Sequence, residues 1–173
     1  MQKIIETYQK GLFEECLKLT LELLRKEPNN FEALSYKGAC ELKLDLFTEA
    51  VATFTQNLSL DEYKFHIWVF RGDAYYELGD YERAFSDYWH SLQLEPDNGA
   101  VMDKCARSLF RIGNRQYALE YITKAVEKSE SVEPFIIMAT MLDAMSEKEK
   151  AEEIRKDAIS RFPEETPSIR NLK

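Results

Sequence analysis

An all-α solenoid of stacked antiparallel helix pairs is the fold class that three observations predict. Small residues recur at a nearly fixed interval, with Cys16, Ala50, Ala84, Ala118 and Ala151 standing 34, 34, 34 and 33 positions apart. Segments with 3.6-residue apolar periodicity alternate with short polar or glycine-containing breaks, and Val/Ile-rich alternating runs are missing. An interval of this size marks a supersecondary unit too small to bury its own apolar face, so each copy must stack on the next.

The elements follow in order. Residues 1–30 form a first unit whose opening helix begins at about Gln2, with Gly11 at the turn, Phe13 and Cys16 on the second helix, and Pro28 closing it. In 31–64, Leu34, Gly38, Ala50 and Phe54 hold the recurring places, with Lys37 at a usually apolar position and Glu62 in place of the closing proline. The clearest unit is 65–98. Trp68, Arg71, Gly72 and Tyr75 share a face of a first helix, Leu78-Gly79-Asp80 turns the chain, and Ala84, Phe85, Tyr88 and Leu92 line the second helix. Pro96 ends it, because proline cannot continue a helix and disfavours helical geometry just before it. Two helices of about 14 residues, each about 21 Å long, make one layer. Gly72 and Ala84 are small so that a neighbouring helix can approach closely. Residues 99–131 are one residue short and keep Met102, Ala106, Leu109, Gly113, Ala118, Ile122 and Ala125. Residues 132–165 keep Phe135, Ala139, Leu142, Ala151, Ala158 and Pro163. The tail, 166–173, places Ile169 and Leu172 where a sixth unit would set its first apolar residues, so it reads as a fold-back tail or the start of a further repeat.

Composition narrows the function classes. Hydrophobic residues make up 45% of the 173, ample for a packed core, and the net charge of -8 argues against nucleic acid or an anionic membrane as the partner. Cys16, Cys40 and Cys105 lack paired spacing, so neither a disulfide framework nor a zinc site is expected. The N-terminus lacks the layout of a signal peptide and no apolar run approaches the ~18 residues of a membrane span, which leads us to expect a cytoplasmic protein. His66 and His90 lie 24 residues apart, and no HExxH, paired-cysteine, P-loop or G-x-S-x-G pattern occurs. Catalytic residues, metals and cofactors are therefore not expected.

The pattern W-x2-[apolar]-G-x2-Y…G-x4-A-x3-[aromatic]…P at Trp68, Gly72, Tyr75, Gly79, Ala84, Tyr88 and Pro96 resembles the tetratricopeptide repeat, with Arg71 as the departure. The resemblance covers 1–165 as five units. It implies a right-handed superhelix whose first helices line a concave surface where extended peptides lie. Carried over by position, the groove residues are Tyr36, His66, Phe70, Asp73, Tyr76, Lys104, Arg107, Phe110 and Arg111. The rings are candidate contact anchors, with core packing as the alternative. Lys104, Arg107 and Arg111 are spaced to share one helix face and to meet carboxylates, or else form a solvated face. The two-carboxylate clamp of chaperone-tail adaptors would need Lys and Asn where Ser35, Ala39, Phe70 and Ala100 stand, so that ligand is not expected. A groove of rings suits an apolar or amphipathic segment, as in the small acidic secretion chaperones that carry such repeats. The sequence thus predicts a protein-binding adaptor, with an assembly element of a larger repeat protein or homo-oligomer as the second reading. Trp89, one position beyond the usual inward aromatic, marks a possible self-association contact.

Overall fold

The computed structural model describes residues 1–170, which are helical almost throughout, with no strand among the described residues. Leu172, one of the two residues assigned to a further unit, lies outside them. The chain forms two compact bodies, Met1–Pro96 and the residues from Asp97 onward.

The first body holds α1 (Gln2–Gln9), α2 (Phe13–Leu24), α3 (Phe31–Lys43), α4 (Phe47–Leu60), α5 (Phe65–Glu77) and α6 (Tyr81–Leu94). The second holds α7 (Gly99–Ile112), α8 (Arg115–Lys128), α9 (Glu133–Ala144), α10 (Lys148–Arg161), a 3-10 turn at Pro163–Glu165 and the short α11 (Thr166–Arg170). Several starts are capped by side chains the sequence supplies there: Asn30, Asp80 and Asn98 accept from the backbone N–H of Ala33, Arg83 and Val101 at 2.9, 3.1 and 3.2 Å.

The turns inside the helix pairs share one geometry. Gly11, Asp45, Gly79, Gly113 and Ser146 all have left-handed backbone, with φ of 73, 58, 78, 92 and 67°. The next residue in each case, Leu12, Leu46, Asp80, Asn114 or Glu147, donates its N–H to the carbonyl five residues back, at 2.9 to 3.1 Å. That is a Schellman closure, which satisfies carbonyls the helix leaves open.

Side-chain size sets the packing inside a pair. A Cβ on Gly38 would stand 2.5 Å from the Phe54 ring, and one on Gly72 would stand 2.6 Å from the Tyr88 ring. The glycine is thus the seat of an aromatic 16 residues downstream, which the second helix lays across the first. The same two places in the second body hold Ala106 and Ile122, both fully buried, so a larger seat accompanies a smaller occupant. Core residues of the first body include Ala50, Phe54, Leu58, Ile67 and Ala74. In the second body, Val126, Phe135, Ala158 and Ile169 form a cluster, and α11 thereby packs Ile169 out of solvent. Cys16, Cys40 and Cys105 are buried free thiols. Burial pushes the Cys40 and Cys105 thiols far above the ordinary thiol range, which keeps them protonated packing groups.

Candidate functional site

In the first body, His66, Phe70, Asp73 and Glu77 follow one another at i, i+4, i+7 and i+11, so α5 presents them as a single stripe. The ring centroids of His66 and Phe70 lie 6.0 Å apart, and Phe70 leans on the buried Phe54 at 5.7 Å. Burial, with Lys64 nearby, holds the His66 imidazole below its ordinary value, so it is neutral at pH 7. Asp73 is held from beneath: the hydroxyl of the buried Tyr88 donates to its carboxylate at 2.8 Å. Tyr76 meets Tyr81 edge-on at 5.1 Å. On α3, which also touches α5, Tyr36 packs edge-on against Tyr8 at 5.5 Å. Tyr36, His66, Phe70, Asp73 and Tyr76 are all half-buried. Each is fixed by neighbours while part of its surface remains open.

The second body carries Lys104, Arg107, Phe110 and Arg111 on α7. Arg107 bridges two carboxylates, Asp103 at 3.0 Å and Glu133 of α9 at 2.9 Å. Burial pushes the Asp103 carboxyl upward and the Arg107 guanidinium opposes it. Phe110 is half-buried and Arg111 exposed. The predicted basic row is therefore partly neutralised at its centre by this body's own acids. Among the described residues, no cluster of three or more His, Cys, Asp or Glu has the arrangement of a metal site, and no helix is long and apolar enough to cross a membrane.

Residues 65–98 match the tetratricopeptide repeat family model. That segment is a tetratricopeptide repeat. The chain is 23% identical over 107 residues to the Hsp70-Hsp90 organizing protein of Triticum aestivum, a match spanning 62% of this chain and 18% of that protein. Among solved structures, MamA from Desulfovibrio magneticus RS-1 superposes with a TM-score of 0.88 at 18% identity, covering 94% of this chain and 93% of that one. YrrB, described as a TPR protein with an unusual peptide-binding site, superposes with a TM-score of 0.77 at 16% identity, covering 92% and 83%. These likenesses show the fold class, the all-α solenoid type that the period predicts.

Two departures from the tetratricopeptide repeat pattern have a common explanation. Arg71, at a usually apolar place, donates from Nε and Nη2 to the two oxygens of Asp87 at 2.8 and 2.9 Å. Lys37, at the same place one repeat earlier, donates to Thr53 at 2.5 Å and pairs with Glu41 at 2.9 Å. Both partners at 53 and 87 lie 16 residues downstream, the spacing that also joins the glycine seats to their rings. That recurrence was the available sign of the pairing.

Trp68 sits at the margin of the first body's core. Its indole is half-buried, lies against the core, donates its N–H to the Glu62 carbonyl at 2.8 Å and stacks on His90 at 4.7 Å. Glu62, standing where proline is usual, thus contributes its carbonyl to the fit. Trp89 meets His90 edge-on at 5.4 Å and is 41% exposed.

Proposed function

We propose that this protein is an interaction module that holds an extended or amphipathic peptide segment of a protein partner on its first-helix faces, without catalytic chemistry. The observation carrying this reading is the set of half-buried rings Tyr36, Phe70 and Tyr76, braced on α3 and α5 by Tyr8, Phe54 and Tyr81. Rings held in place lose little conformational freedom when a ligand covers them, which is why such side chains anchor interfaces. Phe110 supplies the comparable ring in the second body, with Lys104 and Arg111 beside it to set ligand polarity. The organizing protein's name and the peptide-binding site named for YrrB point the same way for relatives of the fold. Three buried free thiols suit a reducing, cytosol-like compartment.

Panning a displayed peptide library on the whole chain tests the reading. Enriched peptides should carry two or more large apolar residues and bind Phe70→Ala/Phe110→Ala at least ~10-fold more weakly, a loss of about 1.4 kcal/mol. Circular dichroism and thermal melting of the same variant separate lost binding from lost folding. Peptides that bind wild type and variant equally would remove the proposed faces.

A second reading, assembly through self-association, draws on the 41% exposure of Trp89. Light scattering across a concentration series, with Trp89→Glu alongside, decides it: a mass that rises with concentration only in wild type supports the contact, and an invariant mass in both discards it.

A further inference from the structure

Cys16 and Cys40 are brought together by the fold, although their spacing matches no paired motif. Cys16 stands on α2 and Cys40 on α3, and with Ile4 of α1 they form one buried core cluster in the first body. Both are 0% exposed and both are free thiols. The Cys40 thiol lies within hydrogen-bonding reach of Cys16. One repeat later, 34 residues on, the same two places hold Ala50 and Ala74, which also share a core cluster. Small side chains at both places let the second helix of one unit approach the first helix of the next closely. Two thiols on such a contact stand where a disulfide, which needs β-carbons about 4 Å apart, closes with little backbone movement.

Helix α1 covers this pair. The Cys16 thiol donates to the Ile4 carbonyl at 3.7 Å, and Tyr8 packs edge-on against Phe13 and Tyr36 at 5.5 Å each. The helix has eight residues, no side-chain cap at its start, and Ile4 and Thr7 as its buried side chains. A helix this short holds by packing alone. Its local opening is therefore the least costly way to admit solvent to the thiols. While it stays closed, burial and the neighbouring Cys16 keep Cys40 protonated and unreactive.

We infer that Cys16 and Cys40 are a modification site, forming a reversible disulfide when displacement of α1 admits hydrogen peroxide. The Cys16 thiolate attacks one peroxide oxygen: an S–O bond forms, the O–O bond breaks, and the leaving hydroxide takes up the proton Cys16 gave up. The Cys40 thiolate then attacks the sulfenic sulfur: an S–S bond forms, the S–O bond breaks, and hydroxide leaves with the Cys40 proton as water. The two thiols lose two electrons, and the peroxide is reduced to two waters. A thiol reductant reverses the link by exchange. Once oxidised, Cys16 has no S–H to donate to Ile4, so the link also removes a tie that holds α1 down.

Counting thiols by intact mass on the whole chain tests it. After hydrogen peroxide and removal of the excess, N-ethylmaleimide in denaturant should label all three cysteines of untreated protein but Cys105 alone in the oxidised form. Dithiothreitol should restore the full count. Peptide mapping should place a reducible link between Cys16 and Cys40 within one chain. Cys105, the buried thiol of the second body, reports any oxidation that follows global unfolding. Ile4→Ala, with circular dichroism to confirm a retained fold, should speed the link at least about tenfold by loosening α1. Wild type that keeps all three thiols under peroxide, links that join separate chains, or loss of Cys105 in step with the pair would each overturn the site. A link that forms equally fast in wild type and Ile4→Ala would overturn the route through α1.

Discussion

Arg71 and Asp87 face each other across α5 and α6 with both carboxylate oxygens engaged, and their side chains are 15% and 5% exposed. Burial raises the Asp87 carboxyl and the guanidinium opposes that rise, so the charge on Asp87 depends on its partner. Arg71 also lies 4.9 Å from the Trp68 ring, which ties the pair to the indole and to His90 stacked on it.

Removing one partner alone should therefore be costly. Arg71→Met leaves a buried carboxylate without its cation and is expected to destabilise by about 3–5 kcal/mol, while Arg71→Met/Asp87→Leu should recover most of that loss. Urea unfolding of the two singles and the double gives the coupling energy. A cycle in which the two losses simply add would show that the pair is not coupled.

The seat of the Tyr88 ring makes a second case. Gly72→Ala puts a methyl group 2.6 Å from that ring and should cost about 1–3 kcal/mol. Gly72→Ala/Tyr88→Ile reproduces the Ala106 and Ile122 combination and should be more stable than the sum of its single changes predicts. Thermal melts of all four proteins read this directly, and strict additivity would separate the glycine from the ring.

Asp80 makes a third case, because it combines a cap with an ion pair. It accepts from the Arg83 backbone N–H at 3.1 Å and from the Arg83 guanidinium at 2.6 Å, and these bonds hold its carboxyl below the usual carboxylate range. A carboxyl depressed in the folded state contributes stability that is present above the unfolded value of about 4 and is lost as pH falls through the lower folded value. Asp80→Ala should cost about 1 kcal/mol at pH 7, and the gap to wild type should close on acidification toward pH 2. Paired melts from neutral to acidic pH measure the gap, and a gap that widened with acid would reverse the assigned sign.

Much of the fold was legible because periodicity responds to backbone geometry. The 34-residue spacing of Ala50 and Ala84 places each at the same helix contact, and the Gly72 vacancy follows from the same register. The polar pairs were harder to see. Lys37 and Arg71 read as isolated departures in a pattern defined by apolar residues, since their partners lie on the next helix and only folding brings them within 3 Å. The half-buried setting of Trp68 was hidden for a related reason: His90 becomes its neighbour only once α6 has turned back along α5. On the candidate faces, periodicity indicates which way a residue points, whereas its bracing depends on contacts such as Tyr88 to Asp73 and Arg107 to Glu133, which cross between helices.

The five left-handed residues preserve the duplication in a form that side chains do not. Asp45 and Ser146 hold the backbone sign that Gly11, Gly79 and Gly113 adopt without strain, so the angle is the same where the residue is not. An alignment by identity loses two of the five copies there, while a comparison of φ along the chain finds every one. Across the five turns handedness is thus the constant, and side-chain chemistry is the variable.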